Sequence, residues 1–150
     1  MKINQSLEQA TYVLVILALQ RDQQPLKSRQ LSQILQVSDS YLKKILQKLK
    51  HAGLIDASAS KRGGYQLATP LKEISLKDLF FALELNEQPY ELNHLAGAVF
   101  PDPVHQQESE AKVTAVLDKA LAAFYDRLAA FTLDQLVKPG ASVDWTQQVQ

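Results

Sequence analysis

The residues best suited to chemistry lie in one short stretch: Ser38, Ser40, Tyr41, Lys43, Lys44, Gln47, Lys48 and Lys50. Lysine ammonium groups neutralise phosphate oxygens, while serine, tyrosine and glutamine side chains hydrogen-bond base edges in a DNA groove. The same stretch holds Leu42, Ile45, Leu46 and Leu49 at i, i+3, i+4 and i+7, so a helix over 39–52 separates an apolar face from a polar, basic one. Such a helix fits a major groove, and its beginning at Ser38-Asp39-Ser40-Tyr41 is placed to reach bases and to offer unpaired N–H groups to phosphate. A second basic site follows at Lys61-Arg62-Gly63-Gly64, where two glycines let the backbone approach a phosphate or a minor groove. The expected DNA-contacting set is therefore Ser38, Ser40, Tyr41, Lys43, Lys44, Gln47, Lys48, Lys61, Arg62, Gly63 and Gly64.

Other chemistries lack their residues. With no cysteine, the chain has no disulfide, thiolate zinc site, cysteine nucleophile or cysteine-held iron–sulfur cluster. Of the histidines, His51 falls on the basic helix, and His94 and His105 lie in a loop-rich stretch without metal-site spacing. No G-x-S-x-G, P-loop, G-x-G-x-x-G or H-E-x-x-H pattern occurs, so neither catalytic residues nor a cofactor is expected. The apolar run over 12–19 is shorter than the roughly 18 residues that span a bilayer, and a soluble, cytoplasmic protein is expected. The zero net charge conceals a division. Residues 1–72 carry 11 Lys and Arg against 4 Asp and Glu, a net +7, and residues 73–150 carry 5 against 12, a net −7. The basic half can meet a polyanion, double-stranded DNA, while the acidic half does something else.

The elements that position these residues follow from periodicity and punctuation. Ser6-Leu7-Glu8-Gln9 has the form of a capping box opening a first helix, with Leu7, Ala10, Leu14 and Leu17 at helical spacing. Ser28 is the expected cap of a short second helix carrying Leu31, Ile34 and Leu35, and Gln36-Val37-Ser38 connects it tightly to the basic helix. Gly53 and Leu54 terminate that helix. Ile55-Asp56-Ala57 and Tyr65-Gln66-Leu67 alternate as two strands of a hairpin with its tip at 58–64. Helix, turn, helix and hairpin make a winged helix-turn-helix domain, mainly α with a small β wing. Ser75-Leu76-Lys77-Asp78 caps a further helix. Residues 86–107 read mostly as loop, with one short helix over 92–98. Helix formers dominate 108–130, where Val113, Leu117, Leu121, Phe124 and Leu128 form a stripe suited to dimerisation. Thr132-Leu133-Asp134-Gln135 caps a final short helix, and the polar tail with Trp145 has no requirement for order.

The run from Val37 to Leu46, with Ala52-Gly53-Leu54-Ile55, Gly63-Gly64-Tyr65-Gln66-Leu67-Ala68-Thr69-Pro70 and Ile74-Ser75-Leu76-Lys77-Asp78, resembles the Rrf-type winged helix-turn-helix regulators, the family of IscR, NsrR and CymR. The resemblance implies a homodimer whose long helices cross to the partner, and contacts to a near-palindromic operator from Ser38, Ser40, Tyr41, Lys43 and the wing. Cluster-binding relatives place three cysteines where this chain has roughly residues 90–104, and none is present here, so a cluster sensor is excluded. The wing also departs: Ala59 stands where the family commonly has arginine, with Lys61 and Arg62 two and three positions later. The expected organisation is a DNA-binding domain over 1–85, a linker or regulatory loop over 86–107, a dimerisation helix over 108–137 and a tail over 138–150. The expected function is a sequence-specific, homodimeric repressor with no membrane partner, whose segment 86–107 binds a small molecule, a protein or nothing. A rival expectation is a protein-interaction module that keeps the winged fold and binds a partner protein through the long helix.

Overall fold

The computed structural model describes residues 3–147. Its first helix, α1 (Gln5–Leu19), runs through the core with Ala10, Val13, Leu14 and Leu17 at 2% exposure or less. The cap is Asn4 rather than Ser6: the Asn4 side chain, on extended backbone, accepts the Ser6 N–H at 3.0 Å, and Ser6 is buried in the first turn. Asparagine caps as well as serine, so the earlier of two eligible residues starts the helix.

A 3-10 turn, Arg21–Gln23, leads to α2 (Ser28–Leu35). Ser28 is the first helical residue of α2 and not its cap; the Gln30 side chain reaches back to accept the Lys27 N–H at 2.9 Å. Gln36 then turns left-handed (φ +56), and Val37 N–H donates to the Ser32 carbonyl, which sets α3 (Asp39–His51) across α2. The predicted apolar face of α3 is buried: Leu42, Ile45, Leu46 and Leu49 lie at 3% exposure or less. At its end Gly53 adopts φ +78, Gly53 N–H donates to Lys50 and Leu54 N–H to Leu49, the paired bonds of a Schellman motif.

The wing is an antiparallel hairpin of β1 (Ile55–Ser58) and β2 (Gly64–Leu67), registered Ile55 opposite Leu67 and Ser58 opposite Gly64. After a 3-10 turn at Leu71–Glu73, helix α4 (Leu76–Ala82) opens with the expected reciprocal cap: Asp78 N–H donates to Ser75 Oγ (3.1 Å) and Ser75 N–H to Asp78 Oδ2 (2.8 Å).

A short helix α5 (Ala96–Val99) interrupts the loop that follows, and α6 runs over Pro103–Ala129. The long helix therefore starts five residues earlier than the composition indicated. Asp102 accepts the N–H groups of Val104 and His105, and Pro103, which has no N–H to lose, occupies the first helical position. No residue of α6 is fully buried. Its C-terminal portion packs on α4 through Phe124 and Tyr125, whose rings lie 5.5 and 6.1 Å from that of Phe80. Beyond α6 the chain returns to the core: Leu76 N–H donates to Phe131, Leu133 N–H donates to Ile74, and Leu133 is fully buried in the 3-10 turn Leu133–Leu136. Of the tail over 138–150, the described residues, to 147, also dock on the rest of the fold, and the remainder lies outside the described residues. Val143 pairs with Gln20 just past the end of α1, and Trp145, the first residue of the final 3-10 turn Trp145–Gln147, packs against the core. Among the described residues no helix is long and apolar enough to cross a membrane.

Candidate nucleic-acid interface

With its apolar face packed against α1 and α2, α3 turns Ser40, Tyr41, Lys43, Lys44, Gln47 and Lys50 to solvent. Ser38 caps the helix by accepting the Tyr41 N–H at 3.4 Å, and its hydroxyl lies 3.0 Å from that of Ser40. Tyr41 is 41% exposed, a large side chain beside the helix start, the part of a recognition helix that generally meets base edges.

The lysines do not act alike. Lys44 and Lys50 are exposed. Lys43 forms an i,i+4 pair with Asp39 at 3.1 Å. Its ammonium holds the Asp39 carboxyl below the usual carboxylate range, partial burial opposes this, and the Ser28 and Ser32 hydroxyls reinforce it. Lys48 leans the other way, toward α4, where its ammonium meets Glu84 Oε2 at 3.2 Å and the Leu83 carbonyl at 3.4 Å. A phosphate contact by Lys48 would compete with that ion pair.

Lys61 and Arg62 are exposed at the wing tip. The two glycines beside them serve the hairpin itself. Gly63 is buried, and a Cβ there would stand 2.3 Å from the Ser58 carbonyl oxygen. Gly64 has φ +147, and a Cβ there would stand 2.6 Å from the Leu26 carbonyl oxygen. That closeness exists because Leu26 and Tyr65 exchange two backbone hydrogen bonds, 3.1 and 2.8 Å, fastening the wing to the segment before α2. Gln66 Nε2 adds a bond of 2.6 Å to the Gln23 carbonyl. Sequence reading missed Gln66 as a positioning residue, and no local pattern announces it, because its partner lies 43 residues away.

The stripe residues of α6 divide. Phe124 is engaged with Phe80 of the same chain, Leu117, Leu121 and Leu128 are half-buried, and Val113 is 52% exposed. The loop before α6 is pinned to it by Tyr90 Oη donating to Asp118 (2.6 Å) and by His94 Nδ1 against Glu110 (3.0 Å). The Asp118 carboxylate, accepting that proton, raises the Tyr90 hydroxyl above its usual range.

The model of the Rrf2 family, described as an iron-dependent transcriptional regulator, matches residues 3–139. YwgB of Bacillus subtilis (strain 168), a candidate HTH-type transcriptional regulator, is 38% identical over 105 residues, covering 70% of this chain and 67% of that protein. The protein rrf2 of Nitratidesulfovibrio vulgaris is 28% identical over 138 residues, covering 92% and 88%. Among solved structures, oxidized CymR of Staphylococcus aureus superposes with TM-score 0.62 at 26% identity over 91% of this chain and 95% of that one. IscR of T. potens, at TM-score 0.62 and 19% identity over 91% and 85%, shares the fold.

The residues of this chain do not fit the iron group that the family description implies. Cysteine is absent, and among the described residues no three His, Cys, Asp or Glu side chains converge as metal ligands. In the corresponding segment His94 is committed to Glu110, and the His105 ring is stacked 4.0 Å from that of Phe100. The match across nearly the whole chain, on the winged helix-turn-helix fold, places this protein in the Rrf2 family of transcriptional regulators.

Proposed function

We propose that this protein is a homodimeric, sequence-specific DNA-binding repressor that lays α3 in the major groove of a near-palindromic operator and the wing beside it. The observation that carries the reading is the solvent face of α3, where Ser40, Tyr41, Lys44, Gln47 and Lys50 stand exposed, together with the exposed Lys61 and Arg62 at the tip of the wing. Cations in such an arrangement neutralise phosphates, while Ser40, Tyr41 and Gln47 hydrogen-bond base edges. Lys43 is available once it exchanges Asp39 for phosphate; Lys48, held by Glu84, contributes through the shape of the domain. Dimerisation through α6 is supported by Val113 and Val116, 52% and 67% exposed on a helix with no fully buried residue. A dimer would set two α3 helices about 34–36 Å apart on successive major grooves. Signalling through a cysteine-held cluster plays no part, so any effector is a different molecule.

The test is fluorescence anisotropy with DNA from upstream of the chain's own gene and with a scrambled duplex, across a salt series. Preference for the upstream DNA, with log affinity falling at about −0.9 per neutralised phosphate, is the expected result. The exposed valines also fit a second reading, in which α6 binds a different protein. Equal, weak binding to both duplexes by a monomer would favour it.

A further inference from the structure

We infer that the C-terminal segment 141–147 is a strut that sets the position of the wing, through one continuous path of hydrogen bonds across the end of α1. The inference rests on the reading of the wing as a DNA contact. The path begins where Val143 N–H donates to the Leu19 carbonyl and Arg21 N–H donates to the Val143 carbonyl, both at 2.9 Å. Trp145 N–H donates to Gln20 Oε1 at 3.0 Å, and Gln20 Nε2 approaches Asp144 Oδ1 at 3.4 Å. Gln20 is 2% exposed, so the tail meets both ends of a buried amide that would be costly to leave unpaired.

The path continues through the 3-10 turn. Asp22 and Gln23 stand at φ +55 and +53, a left-handed conformation that residues other than glycine keep only where their surroundings hold them. The restraint comes from two sides. The tail fixes Gln20 and Arg21 on one side, and on the other the Gln23 carbonyl accepts Gln66 Nε2 at 2.6 Å. Three residues further on, Leu26 pairs with Tyr65 at the tip end of β2. The turn also holds itself, through Gln23 N–H to Gln20, Gln24 N–H to Arg21 and Gln23 Nε2 to the Ala18 carbonyl at 3.1 Å; freeing the tail removes the outside restraint on Gln20 and Arg21, and the turn carries the attachment of the wing. The reach of Lys61 and Arg62 toward DNA therefore depends on a segment at the opposite end of the chain.

The test uses the full-length chain and a fluorescein-labelled duplex from upstream of its own gene. Val143→Pro removes the donor to Leu19, Gln66→Ala cuts the path at the wing, and Lys61→Ala with Arg62→Ala removes the wing charges. Trp145, the single tryptophan, reports tail docking by its emission. Val143→Pro is expected to shift Trp145 emission to the red and to make the salt slope shallower, by up to about 0.9 for each phosphate that the wing no longer neutralises. Gln66→Ala should flatten the slope with Trp145 still docked. Either change, combined with the charge pair, should add little beyond the charge pair alone, since all three act through the same phosphates. A red-shifted Val143→Pro protein with unchanged affinity and slope overturns the strut. If Val143→Pro does not fold, Gln66→Ala decides, and wild-type affinity in that variant overturns the strut as well. If instead the charge pair leaves the slope unchanged, the wing reading itself fails and the strut falls with it.

Discussion

The carboxyl of Asp39 shows how much one residue at the head of α3 has to reconcile. It lies in the first turn, where the unpaired N–H groups favour an anion, and it faces Lys43 one turn on and the hydroxyls of Ser28 and Ser32 on α2. These partners stabilise the charged form and hold the folded-state pKa below the ordinary value of 3.8. A depressed carboxylate contributes stability that is present above the unfolded-state pKa and is lost as pH falls through the folded one. The contribution should thus be intact at about pH 6 and should fade below about pH 4. Comparison of urea midpoints at these two ends should show a larger acid loss for the wild type than for Asp39→Asn. Equal losses would mean that Asp39 does not join α2 to α3. Lys43 has the complementary position: its bond to Asp39 is exposed, so a phosphate can displace it at little cost, whereas Lys48 is held by both Glu84 and the Leu83 carbonyl.

At the scale of elements, the wing depends on glycine in two different ways, and a pair of substitutions separates them. Gly53 and Gly64 both have positive φ, but a Cβ at Gly53 meets nothing within 4 Å, whereas at Gly64 it meets the Leu26 backbone at 2.6 Å. Gly53→Ala should cost about 1 kcal/mol, from conformation alone. Gly64→Ala should cost more, by roughly 1–3 kcal/mol of overpacking, because the Leu26–Tyr65 pairing has to open. Equal urea midpoints for the two variants would show that this pairing does not hold the wing. The same contrast explains what the sequence disclosed. The buried face of α3, the Ser75–Asp78 cap and the helix end at Gly53-Leu54 are local patterns within a few residues, and each is read correctly; the hairpin forms where expected, but Ser58 and Gly64 pair within it instead of lying in the tip, and neither strand alternates in burial. Ser6 and Ser28 mislead because both helices start earlier: Asn4 accepts the Ser6 N–H, Gln30 accepts the Lys27 N–H, and each serine falls inside its first turn. The start of α6 was legible in Asp102-Pro103, a capping residue followed by proline, but the punctuation of the surrounding loop hid it. The docking of the tail was not legible: Val143 meets Gln20 across 123 positions, and its partner is chosen by tertiary packing alone.

For the whole molecule, the division of charge and the exposure of α6 belong to one arrangement. In the proposed complex, a net of +7 over residues 1–72 would attract the duplex and a net of −7 over residues 73–150 would repel it, turning an approaching chain with α3 and the wing foremost. The proposed dimer puts the repelled half on the far side, where Val113 and Val116 can pack against a second copy. Val113→Glu with Val116→Glu tests that arrangement. In one chain these positions are already exposed, so the substitutions should leave the fold and its circular dichroism unchanged. In a dimer built on this face they would bring four like charges together, at a cost of several kcal/mol. Sedimentation should then find a monomer. Because each protomer supplies its own phosphate contacts, the salt slope of the monomer should fall to about half that of the wild type. Preference for the upstream duplex should fall with it, since a single α3 reads only one half-site. A variant that still sediments as a dimer would move the interface off this face of α6, while a monomer that keeps the full slope would mean that one chain already makes every phosphate contact.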